Sequence, residues 1–341
     1  MIICIKVFTH YLYKRGELLK YCFIINPNAG KGQMAQGIAD SARSAAEAKG
    51  VEYDIFMSYD VEDTKDYILR NAQDRDGEVE FIACGGDGTL CKTILAVMAV
   101  PENYRRGVCV GVVPIGTGYD FVSNFKDKNI FLDIEAQLDP IPYKIDLVKC
   151  NDVYSVNMVN VGFDSHVVCQ KEKIGKKKWV PRKLAYIFSL VITLIKKPWL
   201  RVDVSFDGGE SVRRELLLTT MANGAFCGGG FNSNPHASLV DGKIDFLTIE
   251  NVGRIRFLTL VGKYKSGMHV TEKLAHIVGN SKCSTVDLCF DRETPISVDG
   301  ELIRDTELHL SVEKDALTFM LPRGVAPAIA AKAKEAEPVS V

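Results

Sequence analysis

The first part of the chain alternates between short apolar runs and longer stretches of good helix formers. The apolar runs predict buried strands at residues 21–25, 51–58, 79–84 and 108–113. The stretches between them predict helices at residues 34–49, 63–72 and 89–99. Strand, glycine-rich turn and helix in repetition indicate an α/β domain built on a parallel sheet.

The hydrophobic pattern changes near Pro140-Ile141-Pro142. Beyond this point, short β-branched or alternating segments are separated by Gly, Asn and Asp. They predict strands at residues 143–148, 153–161, 201–206, 215–222, 243–249, 285–290, 306–312 and 317–321. Two helical segments, at 183–195 and 255–266, interrupt them. The pattern is typical of a mainly antiparallel β-sandwich.

These patterns divide the 341 residues into four parts. We expect an N-terminal extension over residues 1–20, an α/β nucleotide-binding domain over 21–140, a β-rich domain over 141–322 and a flexible tail over 323–341. The sequence leaves open whether the last strands of the β-rich domain return to the first domain. The extension carries no motif to which we assign a function.

The amino-acid composition narrows the classes of protein to which this chain can belong. The 42 Lys and Arg residues balance 43 Asp and Glu, and the net charge of −1 disfavours nucleic acid as a partner. None of the ten cysteines has C-x-x-C spacing, so we expect reduced thiols in a cytoplasmic protein. The longest apolar run, Leu184–Ile195, is too short to span a bilayer. The short apolar start, Met1–Phe8, lacks a cleavage site and does not predict a signal peptide.

Three glycine-rich turns follow predicted strands of the first domain: Asn26–Gly32, Gly85–Thr89 and Pro114–Asp120. The carboxyl ends of parallel strands meet at one edge of a sheet, where ligands bind. Glycines let backbone N–H groups approach phosphate oxygens, and the carboxylates of Asp87 and Asp120 are ligands that suit Mg²⁺. Each turn alone is equally well explained as an ordinary turn. The three together indicate a nucleotide phosphate site.

In order and spacing, these turns resemble the catalytic domain of the diacylglycerol kinase and sphingosine kinase superfamily, and most closely its soluble bacterial lipid kinases. The second half carries matching motifs at Asn160–Asp164, Ala222–Gly230, Val240–Asp245 and Val298–Glu301. The likeness extends from about residue 21 to 322. It implies an NAD kinase-like first domain, because Gly-Gly-Asp-Gly is shared with NAD kinases.

The resemblance implies that the γ-phosphoryl group of ATP is transferred to a lipid hydroxyl, with diacylglycerol or a related lipid as acceptor and Mg²⁺ as cofactor. Glu301 would be the general base. Asp87, Asp120 and Asp146 would surround the catalytic Mg²⁺, with Asp87 also counted as catalytic. The residues implied at the nucleotide are Asn26, Gly30, Ser58, Gly86, Gly88, Thr89, Gly116 and Thr117.

Two of these implied roles have a structural alternative. In the family, a second metal ion is bound by the residues that correspond to Asp241 and to the carbonyl groups of Ile244 and Phe246. The alternative is an ordinary turn that opens the next strand. The segment before Glu301, Asp299-Gly300, is also a strong hairpin-turn dipeptide.

A basic segment precedes the second apolar helix. Residues 171–183 hold seven basic residues and one acidic residue, and Lys176, Lys177 and Lys178 are predicted to contact a membrane surface. The alternative is a solvated loop. Asp164 is predicted to lie near the acyl chains of the lipid. We expect peripheral membrane association, and leave a homodimer open.

Two positions depart from the family pattern. Cys91-Lys92 stands where Asn-Glu is usual, and Tyr119 stands where Asn is usual. The carboxylates of Asp87 and Asp120 survive both changes. The departures nevertheless motivate an alternative, a non-catalytic relative that binds nucleotide or lipid. NAD kinase is the rival enzyme class.

Overall fold

The computed structural model describes residues 19–32, 34–74, 79–116, 118–175, 182–196 and 198–327. Within them the chain forms two compact units. The first extends to Ile145 and resumes at Leu317, and the second extends from Asp146 to Ala316. The first 18 residues and those from 328 onward, which hold most of the predicted extension and tail, lie outside the described residues.

The first unit is built on parallel strands, β1 (Lys20–Ile25), β2 (Tyr53–Met57), β3 (Val79–Gly85) and β4 (Val108–Pro114). Their order in the sheet is β2-β1-β3-β4, and each neighbouring pair is parallel. The returning segment extends this sheet, because Thr318 and Phe319 pair in parallel with Cys109 and Val110. A short strand β5 (Phe125–Lys126) lies outside this sheet.

Five helices are described in the first unit: α1 (Ala35–Lys49), α2 (Val61–Asp74), α3 (Asp87–Met98), α4 (Glu102–Arg105) and α5 (Ile134–Gln137). Helix α1 buries only alanines, and these pack in one core with Tyr21, Phe23 and Ile25 of β1. Small side chains let the helix approach the sheet closely. The helix ends at Gly50, whose φ of 68° is left-handed and favours glycine.

The second unit is rich in antiparallel strands. They are β6 (Ile141–Cys150), β7 (Val153–Ser155), β8 (Met158–Gly162), β9 (Leu200–Phe206), β10 (Val212–Ala222), β11 (Phe226–Cys227), β12 (Phe231–Asn232), β13 (Ile244–Glu250), β14 (Val278–Cys283), β15 (Thr285–Val298) and β16 (Glu301–Leu321). The order of the main path is β14-β13-β10-β8-β15-β16. Strand β16 ends in the first unit, and β17 (Ala326–Pro327) follows it.

Three helices are described in the second unit: α6 (Phe163–Gly175), α7 (Arg182–Lys196) and α8 (Arg254–Ser266). The predictions of α7 and α8 are confirmed within one residue at each end. Helix α6 was missed, because its turn-like start and mixed polarity carry no clear helical periodicity. No helix in the described segments is both long and apolar enough to cross a bilayer. No disulfide joins the nine cysteines in those segments.

Strand β16 corrects the prediction of two separate strands at 306–312 and 317–321. It runs through 21 residues, and the polar stretch between the predicted strands is a local distortion within it. Asp315 has a left-handed φ of 51°, and its N–H donates to the carboxylate of Asp146 at 2.9 Å. The polar residues between the two predicted strands distort β16 at Asp315 but do not end it.

An unusual carboxyl group lies in the core of the first unit. Glu80 on β3 is fully buried, and neither side-chain oxygen has a hydrogen-bond partner in the structure. A Cβ on Gly111 would lie 2.6 Å from Oε1 of Glu80 and 3.4 Å from Oε1 of Gln137, so both oxygens border the space that Gly111 leaves. Burial raises the pKa of Glu80 well above its usual range. The neutral acid, with a proton to donate, is therefore the form that suits this core.

This burial predicts a pH-dependent gain in stability for Glu80→Gln. Above pH 4.5 the unfolded chain loses the Glu80 proton, whereas the folded chain retains it up to its raised pKa. The free energy of unfolding therefore falls as the pH rises between the pKa of Glu80 in the unfolded chain and its raised pKa in the folded chain. The amide of glutamine does not ionise, so the substitution removes this fall. We expect Glu80→Gln to raise the free energy of unfolding by about 1–3 kcal/mol at pH 8, and by less at pH 5. Denaturant unfolding at both pH values measures this.

The exposed substitution Glu135→Gln on α5 is the matched control, and we expect it to leave stability unchanged at both pH values. An equal effect of Glu80→Gln at pH 5 and pH 8 would contradict a raised pKa in the folded state.

Candidate functional site

The carboxyl ends of β1, β3 and β4 meet at one edge of the first unit. The N–H of Asn26 donates to the carbonyl of Cys84 at 3.0 Å, and the N–H of Ile115 donates to the carbonyl of Gly85 at 2.9 Å. A Cβ on Gly116 would lie only 2.4 Å from Cα of Gly86. The second and third glycine-rich turns therefore touch through their backbones, at the start of α3. The structure brings these turns together as the sequence predicts.

Two predicted metal ligands lie beside Gly118. Oδ2 of Asp87 is 2.4 Å from the position of a Cβ on Gly118, and Oδ2 of Asp120 is 3.9 Å from it. Oδ1 of Asp87 accepts the N–H of Phe121 at 3.1 Å. This hydrogen bond fixes the Asp87 carboxylate against the third turn. Any side chain at Gly118 would collide with the Asp87 carboxylate and would border the carboxylate of Asp120.

The first turn is joined to α3 through two polar side chains. Nδ2 of Asn26 donates to Oγ1 of Thr89 at 3.1 Å, and Oδ1 of Asn26 accepts the N–H of Asn28 at 2.9 Å. Asn26 and Thr89 were both predicted to lie at the nucleotide. Gly86 is the N-cap residue of α3, Gly88 lies in its first turn, and neither brings a side chain to this edge.

The remaining predicted nucleotide residues lie around the same edge or outside the described residues. Gly30 has a left-handed φ of 56° in a short 3-10 segment after β1. The N–H of Ser58 donates to the carbonyl of Ile25, and its hydroxyl is hydrogen-bonded to that of Thr64. Thr117 lies outside the described residues, as do Lys176, Lys177 and Lys178.

Asp146 occupies a different environment from Asp87. It is buried on β6 in the second unit, where Oδ1 accepts the N–H of Asp315 at 2.9 Å and Oδ2 accepts the N–H of Gly242 at 2.7 Å. Both oxygens thus tie backbone segments together. No group of three or more His, Cys, Asp or Glu side chains in the described segments is arranged to hold a metal ion.

Glu301 is exposed at the start of β16, directly after a tight hairpin. Asp299 and Gly300 form the turn with φ values of 47° and 91°. The carboxylate of Asp299 accepts the N–H groups of Val156, Asn157 and Met158 at 2.7–3.1 Å. Asp299 therefore fixes the hairpin against β8, and the backbone of Glu301 is held by the adjoining turn.

The segment predicted for a second metal ion forms a turn with an ion pair. Oδ1 of Asp241 accepts the N–H of Lys243 at 3.1 Å, and Oδ2 contacts Nζ of Lys282. Ile244 and Phe246 lie within β13, between its partners β10 and β14. This arrangement favours the alternative of an ordinary turn that opens β13.

Asp164 lies in the first turn of α6 and pairs with a residue that sequence reasoning missed. The hydroxyl of Tyr264 on α8 donates to Oδ2 of Asp164 at 3.0 Å. Burial raises the pKa of Asp164 to about 6, and the hydrogen bond from Tyr264 opposes this shift. The two residues are 100 positions apart, and no local pattern in the sequence connects them.

The first unit therefore holds the parts of a phosphate site. Backbone N–H groups of glycine-rich turns, the N-terminus of the 12-residue α3 and two carboxylates beside Gly118 lie at one edge of a parallel sheet. Phosphate oxygens suit the first two, and a hard cation suits the carboxylates. Two carboxylates are sufficient for Mg²⁺ where substrate phosphates and water complete its coordination.

Comparison with protein families matches both parts of the chain. Residues 20–150 match the diacylglycerol kinase catalytic domain. Residues 157–321 match the YegS C-terminal NAD kinase beta sandwich-like domain. The two matches cover nearly all the described residues, and they confirm an N-terminal α/β domain followed by a β-rich domain.

Individual proteins match over most of their length. A protein of Shewanella frigidimarina named "Probable lipid kinase YegS-like" is 22% identical over 284 residues, which are 82% of this chain and 87% of that protein. A protein of Staphylococcus aureus (strain MSSA476) is 26% identical over 316 residues, 90% of this chain and 97% of that protein.

Solved structures share the fold. The crystal structure of a diacylglycerol kinase from Bacillus anthracis superposes with a TM-score of 0.67 at 18% identity, and the match covers 91% of this chain and 98% of that one. Both family matches, the relatives and the shared fold agree. The chain belongs to the diacylglycerol kinase family of bacterial lipid kinases, in the form that joins a catalytic domain to a YegS-type C-terminal domain.

Proposed function

We propose that this protein transfers the γ-phosphoryl group of ATP to the hydroxyl group of diacylglycerol or a related lipid. The observation that carries the proposal is the edge of the first unit, where three glycine-rich turns meet and one carboxylate oxygen each of Asp87 and Asp120 lies near Gly118. The resemblance of the second-unit motifs to lipid kinases supports a lipid as the acceptor. We further propose that the protein works in the cytoplasm, at the membrane surface.

The residues of the edge would act on the nucleotide by position and charge. The turn that begins at Gly86 and the N-terminus of α3 would bind phosphate oxygens through N–H groups. Asp87, fixed by the N–H of Phe121, and Asp120 would hold Mg²⁺. The bound ion would neutralise phosphate charge. No side chain at Gly86, Gly88 or Gly116 obstructs the approach of the phosphates.

Glu301 would accept the proton of the lipid hydroxyl. The hydroxyl oxygen forms a bond to the γ-phosphorus, the bond from that phosphorus to the bridging oxygen of ADP breaks, and ADP leaves with the electron pair. A carboxylate is suited to this role because its oxygen can accept the proton of the hydroxyl group. Asp299 supports Glu301 indirectly, because its hydrogen bonds to β8 hold the hairpin in place.

Tyr119 shows how the third turn tolerates a departure from the family pattern. Its φ of 62° lies in the left-handed region, which Asn adopts several times more readily than most residues. The hydroxyl and the N–H of Ser123 both donate to the carbonyl of Tyr119 and hold this conformation. The turn therefore keeps the shape that Asn would favour, at a cost in stability.

The transfer itself is tested with γ-labelled ATP and Mg²⁺, offered either to mixed-lipid vesicles containing diacylglycerol or to NAD. We expect label in the lipid fraction. Label in NAD would show an NAD kinase instead. No label in either acceptor, from a folded protein that binds ATP, would indicate a non-catalytic relative and overturn the proposal.

Two substitutions test the proposed roles of the carboxylates. We expect Glu301→Gln to lower kcat by about 10²–10⁴-fold, because the amide cannot accept the proton. Asp87→Asn retains an oxygen for the N–H of Phe121 but loses the charge, and we expect it to reduce turnover similarly. Glu307→Gln, exposed on the same strand as Glu301, is the control. Full activity in Glu301→Gln would exclude Glu301 from the mechanism.

Relief of the left-handed strain gives a separate prediction. We expect Tyr119→Asn to raise the free energy of unfolding by about 1 kcal/mol, measured by denaturant unfolding. Tyr59→Asn changes the same residue type at an exposed position whose φ is not positive, and should give no gain. Equal effects of the two substitutions would show that strain at Tyr119 contributes nothing.

A further inference from the structure

Large apolar side chains are exposed on two helices of the second unit. On α7, Phe188, Val191 and Ile195 are 48%, 47% and 65% exposed. They are three and four residues apart and share one face of the helix. On α8, Ile255 and Leu258 are 82% and 57% exposed. Single exposed apolar residues are ordinary, but five on two helices of one unit have to be explained.

The two helices are joined where these residues meet. The guanidinium of Arg254, the first residue of α8, donates to the carbonyls of Leu194 and Ile195 at 3.2 Å and 2.8 Å. These carbonyls lie in the last turn of α7, where a positive group is favoured by the helix dipole. Ile195 and Ile255 therefore flank one polar junction. We use the name α7–α8 face for the five exposed apolar residues Phe188, Val191, Ile195, Ile255 and Leu258.

The charged side chains of helices α7 and α8 are all basic. Neither α7 nor α8 contains an Asp or a Glu, although the whole chain has slightly more acidic than basic residues. Exposed basic side chains lie beside and along the face, at Lys196, Arg254, Arg256, Lys263 and Lys265. Lys265 follows Leu258 by seven residues and so extends the same side of α8.

We propose that the α7–α8 face docks the protein onto a bilayer that contains anionic lipid. Apolar side chains flanked by Lys and Arg match the boundary between acyl chains and negatively charged headgroups. A second copy of this chain fits less well, because two such faces would bring basic residues together without acidic partners. The proposal deepens the proposed function, since a diacylglycerol-like acceptor lies in a bilayer, but docking is measurable without catalysis.

Co-sedimentation with vesicles tests the proposal without ATP or Mg²⁺. The vesicles contain phosphatidylcholine alone or with phosphatidylserine, which has no free hydroxyl to be phosphorylated. We expect binding to the mixed vesicles, weaker binding in high salt and little binding to phosphatidylcholine alone. Equal binding to both vesicle types would overturn the role of charge.

Variants test the face itself. We expect Val191→Ser/Ile255→Ser/Leu258→Ser to bind the mixed vesicles at least tenfold more weakly. Lys196→Gln and Lys265→Gln should each weaken binding roughly fivefold. The controls are Val212→Ser, 50% exposed on β10, and Lys65→Gln, exposed on α2 of the first unit. Both should bind as the unmodified protein does.

Two outcomes would overturn the docking surface. One is unchanged vesicle binding by the triple serine variant. The other is a dimer in sedimentation equilibrium that the triple variant converts to a monomer, which would assign the face to self-association. Phosphorylation of detergent-dispersed diacylglycerol should be unchanged in the variants. Loss of vesicle binding with that activity retained separates docking from catalysis, and the absence of activity in every form would instead contradict the proposed function.

Discussion

The contact between the backbones of Gly86 and Gly116 is the constraint on which the candidate phosphate site depends. A Cβ on Gly116 would lie 2.4 Å from Cα of Gly86, a distance at which one of the two turns must move. The turns follow neighbouring parallel strands, and they can touch in this way only if residue 116 carries no side chain. The contact lies at the N-cap of α3, one residue before Asp87.

Asp87, Asp146 and Asp299 differ in how many of their carboxylate oxygens accept hydrogen bonds from the protein itself. Asp146 uses both oxygens to accept N–H groups, and Asp299 accepts three backbone N–H groups. These two hold backbone segments together. Asp87 gives one oxygen to the N–H of Phe121, and its other oxygen borders Gly118. Asp87 is therefore positioned by the fold through one oxygen, and its other oxygen lies beside Gly118.

Charge is distributed unevenly along a chain whose net charge is only −1. Helices α7 and α8 lack acidic residues and expose apolar side chains, whereas Asp164 and Tyr264, on α6 and α8, form a buried polar pair. Helix α8 thus makes a buried polar contact through Tyr264 and exposes apolar side chains to the surface. Such a helix can support a lipid-binding role on both sides, because the two sides are chemically independent.

Local patterns in the sequence determined the order of strands, turns and helices and the residues of the three glycine-rich turns. Apolar periodicity is a short-range signal, so it identified α7 and α8 within one residue. Only the tertiary structure decided what distant residues do to one another. Asp146 meets Asp315 across 169 positions, and Tyr264 meets Asp164 across 100. No local pattern records such contacts, because they arise only when strands and helices pack. For the same reason, the sequence identified the carboxylates but could not distinguish Asp146, both of whose oxygens accept backbone N–H groups, from Asp87, of which one oxygen does so and the other lies beside Gly118.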